Sequence, residues 1–508
     1  MLAQINSCAL SGLNVSDIHI EVDAAGGLPS WDIVGLPDTA VKESKERVRT
    51  AIKNSGLEFP PRRVVVNLAP ANIRKEGPSF DLAIAIAILK ATEQIDGDFS
   101  RYIFLGELGL DGTLRAVNGT LAVSLHYANS DKILIVPSSV AGEATIGKTT
   151  TYGFNTLKEV LAFLKDPSAF SPYPAIDYQT LLSSPVSASE DFCNIKGQEQ
   201  AKRALEIAAA GGHNILLIGS PGSGKSMLAK ALPSILPPLT LEEAIETTNL
   251  YSIAGLLSEN QPLLTTRPFR APHHSASSSS IIGGGKQPMP GEISLSHNGV
   301  LFLDELPEFR KDVLEAMRQP LENHTVTVSR VAAQITYPCK CILLAAMNPC
   351  PCGYFNDPVK KCTCTPHQAQ RYRGRISGPF LDRIDIQLEV TPVEFQALHD
   401  NSPCETSAQI RERVIRARNI QTQRYQGTHT FVNSAMTTAD IKKYCTLSAQ
   451  SQALLEKAFT RMGLSARGHN RILKIARTIA DLDSSANIET HHITEALQYR
   501  TLDKDIWK

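Results

Sequence analysis

Over residues 1–165 apolar and polar positions alternate in short runs, at Ile18, Ile20 and Val22, at Val64 to Val66 and at Ile133 to Val136, and this period of two predicts strands. Helical spacing interrupts them, as in Val41 to Lys53, so 1–165 is read as one compact α/β domain. From Asp166 to Glu190 the pattern gives way to Ser and Pro, with Pro167, Pro172, Pro174 and Pro185, and 166–190 is read as a linker. Over 191–390 short unbroken apolar runs, Ile215 to Ile218, Val300 to Leu303 and Cys341 to Met347, alternate with helices. Strands apolar on both faces belong to a largely parallel sheet covered by helices. After Pro392 the pattern is almost entirely helical, which makes 391–508 a helical domain.

The 508 residues agree with about three domains. A hydrophobic share of 42% with 20% charged residues excludes a disordered or coiled-coil chain. The 51 basic residues cancel the 51 acidic ones, so a polyanion partner has to be met by a local basic surface. Met1 to Leu10 lack the basic start and apolar run of a secretory signal, and the longest apolar stretch, Leu82 to Leu89, falls far short of the ~20 residues of a bilayer span. A cytoplasmic protein with reduced cysteines is expected, so a tight cysteine cluster there signals metal or chemistry rather than disulfides.

Gly219-Ser220-Pro221-Gly222-Ser223-Gly224-Lys225-Ser226 follows the strand ending at Ile218 and opens a helix, the context a P-loop requires. Its glycines let backbone N–H groups close around phosphates at a helix N-terminus; Lys225 reaches the β- and γ-phosphates, and Ser226 holds Mg²⁺. Asp304 and Glu305 end a second buried strand, where Asp304 suits water-mediated Mg²⁺ ligation and Glu305 suits polarising an attacking water. A third strand ends at Asn348, placed to orient that water.

The order of P-loop, acidic pair, Asn348, then Gly378-Pro379-Phe380-Leu381-Asp382-Arg383-Ile384-Asp385 and a late Ser465-Ala466-Arg467-Gly468 resembles an AAA+ ATPase. Within that class the chain resembles the branch of magnesium chelatase ATPase subunits and MCM helicases. Over its whole length it is similar to the bacterial YifB/ComM family, on Arg270-Ala271-Pro272-His273-His274, Pro290-Gly291-Glu292-Ile293 and Asn348-Pro349-Cys350-Pro351-Cys352-Gly353. The resemblance implies ATP with Mg²⁺, Asn348 as sensor 1, Arg383 as an arginine finger given to the next subunit, with Arg375 as runner-up, and Arg467 as sensor 2. Residue by residue, Arg383 also reads as a local salt-bridge partner of Asp382 or Asp385. A trans-acting finger implies an oligomer, and the family's competence members are hexameric DNA branch-migration helicases. Residues 1–165 are similar to the Lon-type peptidase fold through Gly77-Pro78-Ser79 and Leu105-Gly106-Glu107-Leu108, but Leu121 stands where Lon's lysine is expected. A serine without a base is a poor nucleophile, so the fold carries over and the peptidase does not.

Thr265 to Leu295 interrupts the core with Gly283-Gly284-Gly285-Lys286, and the resemblance makes it the helix-2 insert that projects into a ring's channel. Asn323 to Tyr337 alternates as a β-hairpin before sensor 1, with Arg330 near its tip. Lys286, Arg330, Arg267 and Arg270 are candidate DNA phosphate contacts, with solvated loop charge as the alternative. The helix Ala408 to Arg424 carries Arg413, Arg416 and Arg424 on one stripe, either a DNA or intersubunit face or a solvated surface. Cys350, Cys352, Cys362 and Cys364 suit a tetrahedral structural Zn²⁺, with His367 as an alternative ligand and free surface thiols as the other reading. The expected architecture is therefore α/β: a Lon-protease-like domain, an AAA+ P-loop core with insert and hairpin, and a C-terminal helical lid. The expected function is an ATP-driven hexameric motor on single-stranded, forked or branched DNA, a helicase for branch migration in recombination and natural transformation. A motor acting on a protein or chelatase-type partner is the alternative.

Overall fold

The computed structural model describes all residues except 1, 184–189, 259–260, 286–287, 330–333, 356, 358–359, 394–403, 429 and 501–508. The chain forms two compact units. The first gathers the described parts of 1–183, 240–264 and 331–335, and the second those of 184–239, 265–330 and 336–508.

The first unit is built on a seven-stranded mixed sheet of β1 (Leu2–Ser11), β2 (Asn14–Ala25), β3 (Ser30–Val34), β4 (Arg63–Ala69), β5 (Tyr102–Phe104), β6 (Ile133–Pro137) and β7 (Thr150–Phe154). Its order is β3-β4-β2-β1-β5-β6-β7. In β2 the inward residues Ile18, Ile20, Val22 and Ala24 are buried, which is the alternation the sequence carries. The apolar run Leu82 to Leu89 is a helix, Asp81–Ala91, buried on all sides except at Lys90. Its first residue, Asp81, is buried against the Arg47 guanidinium, Nε to Oδ2 2.7 Å and Nη2 to Oδ1 3.1 Å. Burial outweighs that ion pair and pushes the Asp81 carboxyl up to about 6.

Residues 240–264, which the sequence pattern leaves inside 191–390, belong to this first unit. The helix Leu241–Ile253 begins with a reciprocal cap between Thr240 and Glu243. It docks through Ser252, whose hydroxyl donates to the buried Glu143 carboxylate and whose carbonyl accepts from Gly119 N–H at 3.2 Å. Such side-chain partners more than a hundred residues away leave no trace in local periodicity.

The second unit centres on a five-stranded parallel sheet: β8 (Ile215–Ile218), β9 (Phe269–Arg270), β10 (Val300–Leu303), β11 (Ile342–Met347) and β12 (Ile386–Glu389), in the order β9-β10-β11-β8-β12. All residues of β8, β10 and β11 are buried, because helices cover both faces. Two small hairpins leave this sheet, Gly283–Gly284 with Met289–Pro290 and Thr325–Ser329 with Gln334–Pro338. The carboxyl part is helical, with Ser407–Arg424 and Ala466–Leu482 its longest described helices. Among the described residues no helix is long and apolar enough to cross a membrane.

Candidate nucleotide site and the cysteine cluster

Parallel strands present their carboxyl ends on one edge, and ligands of open α/β sheets bind there. Gly219 follows β8, Asp304 follows β10 and Asn348 follows β11, so the sheet order gathers them. The loop between β8 and the helix Lys225–Ile235 needs glycine at both ends. A Cβ on Gly219 would stand 2.3 Å from the Val390 carbonyl oxygen, and Gly224, which caps the helix, has φ of 91°.

Lys225 Nζ donates to the carbonyls of Gly219 at 2.8 Å and Ser220 at 2.9 Å, and lies 3.3 Å from Asn348 Oδ1. Burial holds its pKa below the usual lysine range, against the pull of the Asp304 carboxylate. Ser226 Oγ donates to Asp304 Oδ2 at 2.9 Å. Glu305 follows in a left-handed backbone conformation, φ 52°, which non-glycine residues adopt at a cost of order 1 kcal/mol. Its carboxylate meets His274 Nδ1 at 3.2 Å. His274 lies in the motif Arg270 to His274, and this proximity is a feature that sequence reasoning missed; the histidine pair was the only signal for it.

The remaining candidates fall elsewhere. Arg383 is largely buried and pairs with Glu322, neither of the aspartates expected from its neighbourhood. Asp382 instead faces Arg467 at 3.6 Å and Arg471 at 3.7 Å, and Asp385 accepts His213 at 3.0 Å. Arg467 is exposed at the start of Ala466–Leu482, and Arg375 pairs with Glu308 at 2.7 Å.

Two of the four arginine and lysine candidates for DNA have partners within the protein. Arg267 donates to the carbonyls of Pro237, Asn298 and Pro238, and Arg270 makes a bidentate pair with Glu292 at 2.6 and 2.8 Å. Those guanidiniums tie the insert's neck to the core, a use fixed by residues 22 to 31 positions away. Lys286 and Arg330 lie outside the described residues. The insert and the hairpin that carry them touch, as Tyr337 Oη donates to the Pro288 carbonyl at 2.6 Å. The arginines of Ser407–Arg424 are mostly internal partners as well: Arg413 pairs with Glu206 and Glu405, Arg418 with the Ala209 carbonyl, and Arg424 with Asp481.

Cys350, Cys352, Cys362 and Cys364 hold their sulfurs within 4.8 Å of one another. Three separations are 3.4, 3.7 and 3.6 Å, near the ~3.8 Å edge of a tetrahedron with metal–sulfur bonds of about 2.3 Å. The Cys352 N–H donates to Cys364 Sγ at 3.4 Å. Burial pushes Cys350 up to about 12, while backbone N–H groups of Tyr354 and Thr363 overcome burial at Cys352 and bring it down to about 5. Ser79 lies in the turn Pro78–Phe80 before the buried helix, and the nearby Lys75 gives its ammonium to the Pro70 carbonyl.

A P-loop, an acidic pair and an asparagine at the ends of adjacent parallel strands, followed by a helical region, fit an AAA+ ATPase motor, a class that uses ATP with Mg²⁺. The model for magnesium chelatase, subunit ChlI, matches residues 191–398, that for subunit ChlI of Mg-chelatase matches 20–139, and that for the ChlI C-terminal region matches 404–500. The chain is 44% identical to YifB of Salmonella typhimurium over 99% of its length and 98% of that protein, and 43% identical to the competence protein ComM of Haemophilus influenzae with the same coverage. It belongs to the magnesium-chelatase-like YifB/ComM family. Shorter stretches resemble the DNA replication licensing factor Mcm5 of Drosophila melanogaster, 26% identical over 31% of the chain and 18% of that protein, and the archaeal Lon protease of Methanothermobacter thermautotrophicus, 40% identical over 15% and 11%. The Lon-like part of the expected fold stands with them.

Proposed function

We propose that the protein is an ATP-driven DNA motor working in the cytoplasm as a ring of six copies, which migrates forked or branched junctions during recombination and natural transformation. Lys225 and the loop from Gly219 to Gly224, through Ser220, Pro221, Gly222 and Ser223, cradle the phosphates, and Ser226 and Asp304 hold Mg²⁺. Glu305 polarises the attacking water and Asn348 orients it. Arg383 acts on the neighbouring copy's nucleotide and Arg467 reads it from the lid.

One observation carries the DNA reading: the insert and the hairpin are joined through Tyr337 and Pro288, and the insert's neck is pinned by Arg270 and Glu292 beside the strand that leads to Asp304. Movement of either loop is thereby linked mechanically to the hydrolytic edge of the sheet. Lys286 and Arg330, one on each loop, supply phosphate contacts that ignore base sequence. A competence protein among the full-length relatives and a DNA replication factor among the partial ones support this choice. The chelatase model's match over 191–398 favours, as the second reading, a motor acting on a chelatase-type protein partner. Residues 1–165 serve as a collar that has no peptidase activity, and the four cysteines hold one structural Zn²⁺.

Lys286→Ala and Arg330→Ala should retain ATP hydrolysis and lose DNA translocation. Each should lower the slope of log K against log salt by about one unit. Variants that move forks as fast as the wild type would exclude these loops from the DNA path.

A further inference from the structure

The cysteine cluster and the nucleotide loop are neighbours, and we propose that the metal centre braces the loop, so that nucleotide affinity depends on bound metal. The proposal rests on the zinc reading above.

Between Asn348 and the helix that starts at Pro366 the described chain has no regular secondary structure, and most of its described side chains are exposed or half-buried. Hydrophobic burial alone leaves such a segment free to move. A metal ligated by 350–352 and by 362–364 closes it into a loop and removes that freedom.

The same segment reaches the phosphate loop at three points. Gly353, at φ 85°, packs so closely that a Cβ there would stand 2.5 Å from Pro221 Cδ. Asp357 Oδ2 accepts from Ser220 Oγ at 2.7 Å. Asn348, two residues before Cys350, places Oδ1 3.3 Å from Lys225 Nζ. From the other side Arg373 donates Nε to the Pro349 carbonyl at 2.9 Å and lays its guanidinium 4.3 Å from the Phe355 ring centre. With one wall set by Arg373, the thiolate centre fixes the other, and Gly353 and Asp357 then hold Pro221 and Ser220 in the phosphate-binding shape.

The test is the affinity of the full chain for a fluorescent ATP analogue with Mg²⁺ in three states: as purified, after metal is stripped under reducing conditions and the chelator removed, and after one equivalent of Zn²⁺ is returned. Gly353→Ala, with its four cysteines intact, is measured alongside. Stripping should weaken binding about tenfold or more, zinc should restore it, and Gly353→Ala should show a loss of the same order while keeping its metal. Bound metal whose removal changes affinity by less than about twofold overturns the brace and leaves the zinc reading standing. If the stripped chain unfolds, Gly353→Ala decides, and wild-type affinity in that metal-loaded variant overturns the brace. A purified chain that holds no metal and takes none from added zinc overturns both.

Discussion

Lys225 gathers its partners from one edge of the sheet, two loop carbonyls and the Asn348 amide, and these contacts hold the ammonium where a phosphate chain would meet it. Lys225→Ala should abolish nucleotide-driven work, read as loss of ATP turnover. Glu305 depends on a neighbour too. Its left-handed backbone and its contact with His274 fix the direction of the carboxylate, so His274→Ala should lower kcat about tenfold with little change in KM, and His274→Gln should recover most of it. Unchanged turnover in the alanine variant would mean that Glu305 is positioned by its backbone alone. Asp81 gives a prediction in pH. Its folded pKa of about 6 lies above the ordinary ~3.9, so the unfolded chain gives up this proton first as pH rises. The first unit is therefore most favoured by this group below pH ~4 and loses about 2–3 kcal/mol as pH rises through ~6. Urea midpoints of wild type and Asp81→Asn compared from pH 4 to 7 check it, with the asparagine variant lacking that part of the decline.

At the scale of elements, the helix Ser407–Arg424 shows how a basic stripe becomes internal structure. Arg424 meets the fully buried Asp481, which Arg477 and Asn433 also contact. Arg424→Ala leaves part of a buried carboxylate's charge uncompensated and should cost about 3–5 kcal/mol, measurable as a lower thermal midpoint. Arg416, exposed on the same helix, should tolerate alanine within about 0.5 kcal/mol. The sequence made the strands β8, β10 and β11 and the loop from Gly219 to Ser226 legible, because burial on both faces and a glycine-rich turn are local signals. It also carried the hairpin of Thr325–Ser329 with Gln334–Pro338, through alternation, and the four cysteines, through spacing, but not the glycine hairpin of Gly283–Gly284 with Met289–Pro290, which has too few residues to alternate. Partners distant in the chain were not legible. Arg267 and Arg270 looked like free cations because Asn298 and Glu292 come near them only through the sheet, and Arg383 meets Glu322 only after the helix Lys311–Asn323 has packed. The segment 240–264 was unassignable for the same reason, since its anchor is Glu143.

For the whole molecule, the proposal that Arg383 acts across copies is tested by mixing variants. Arg383→Ala should still assemble yet lose roughly 10³-fold or more in turnover, and mixing it with Glu305→Gln should restore part of the activity, because each variant supplies what the other's interface lacks. No recovery at any mixing ratio would return Arg383 to its partnership with Glu322 alone. The central claim is that ATP turnover in this chain moves DNA. The most direct measurement follows strand exchange in a four-way DNA junction with purified protein, Mg²⁺ and ATP, beside Lys225→Ala and a non-hydrolysable analogue. Junctions should migrate only with the wild type and ATP, at a rate that falls steeply with salt. Robust ATP hydrolysis with junctions left unmoved at every salt concentration would contradict the claim and turn the search to a protein partner.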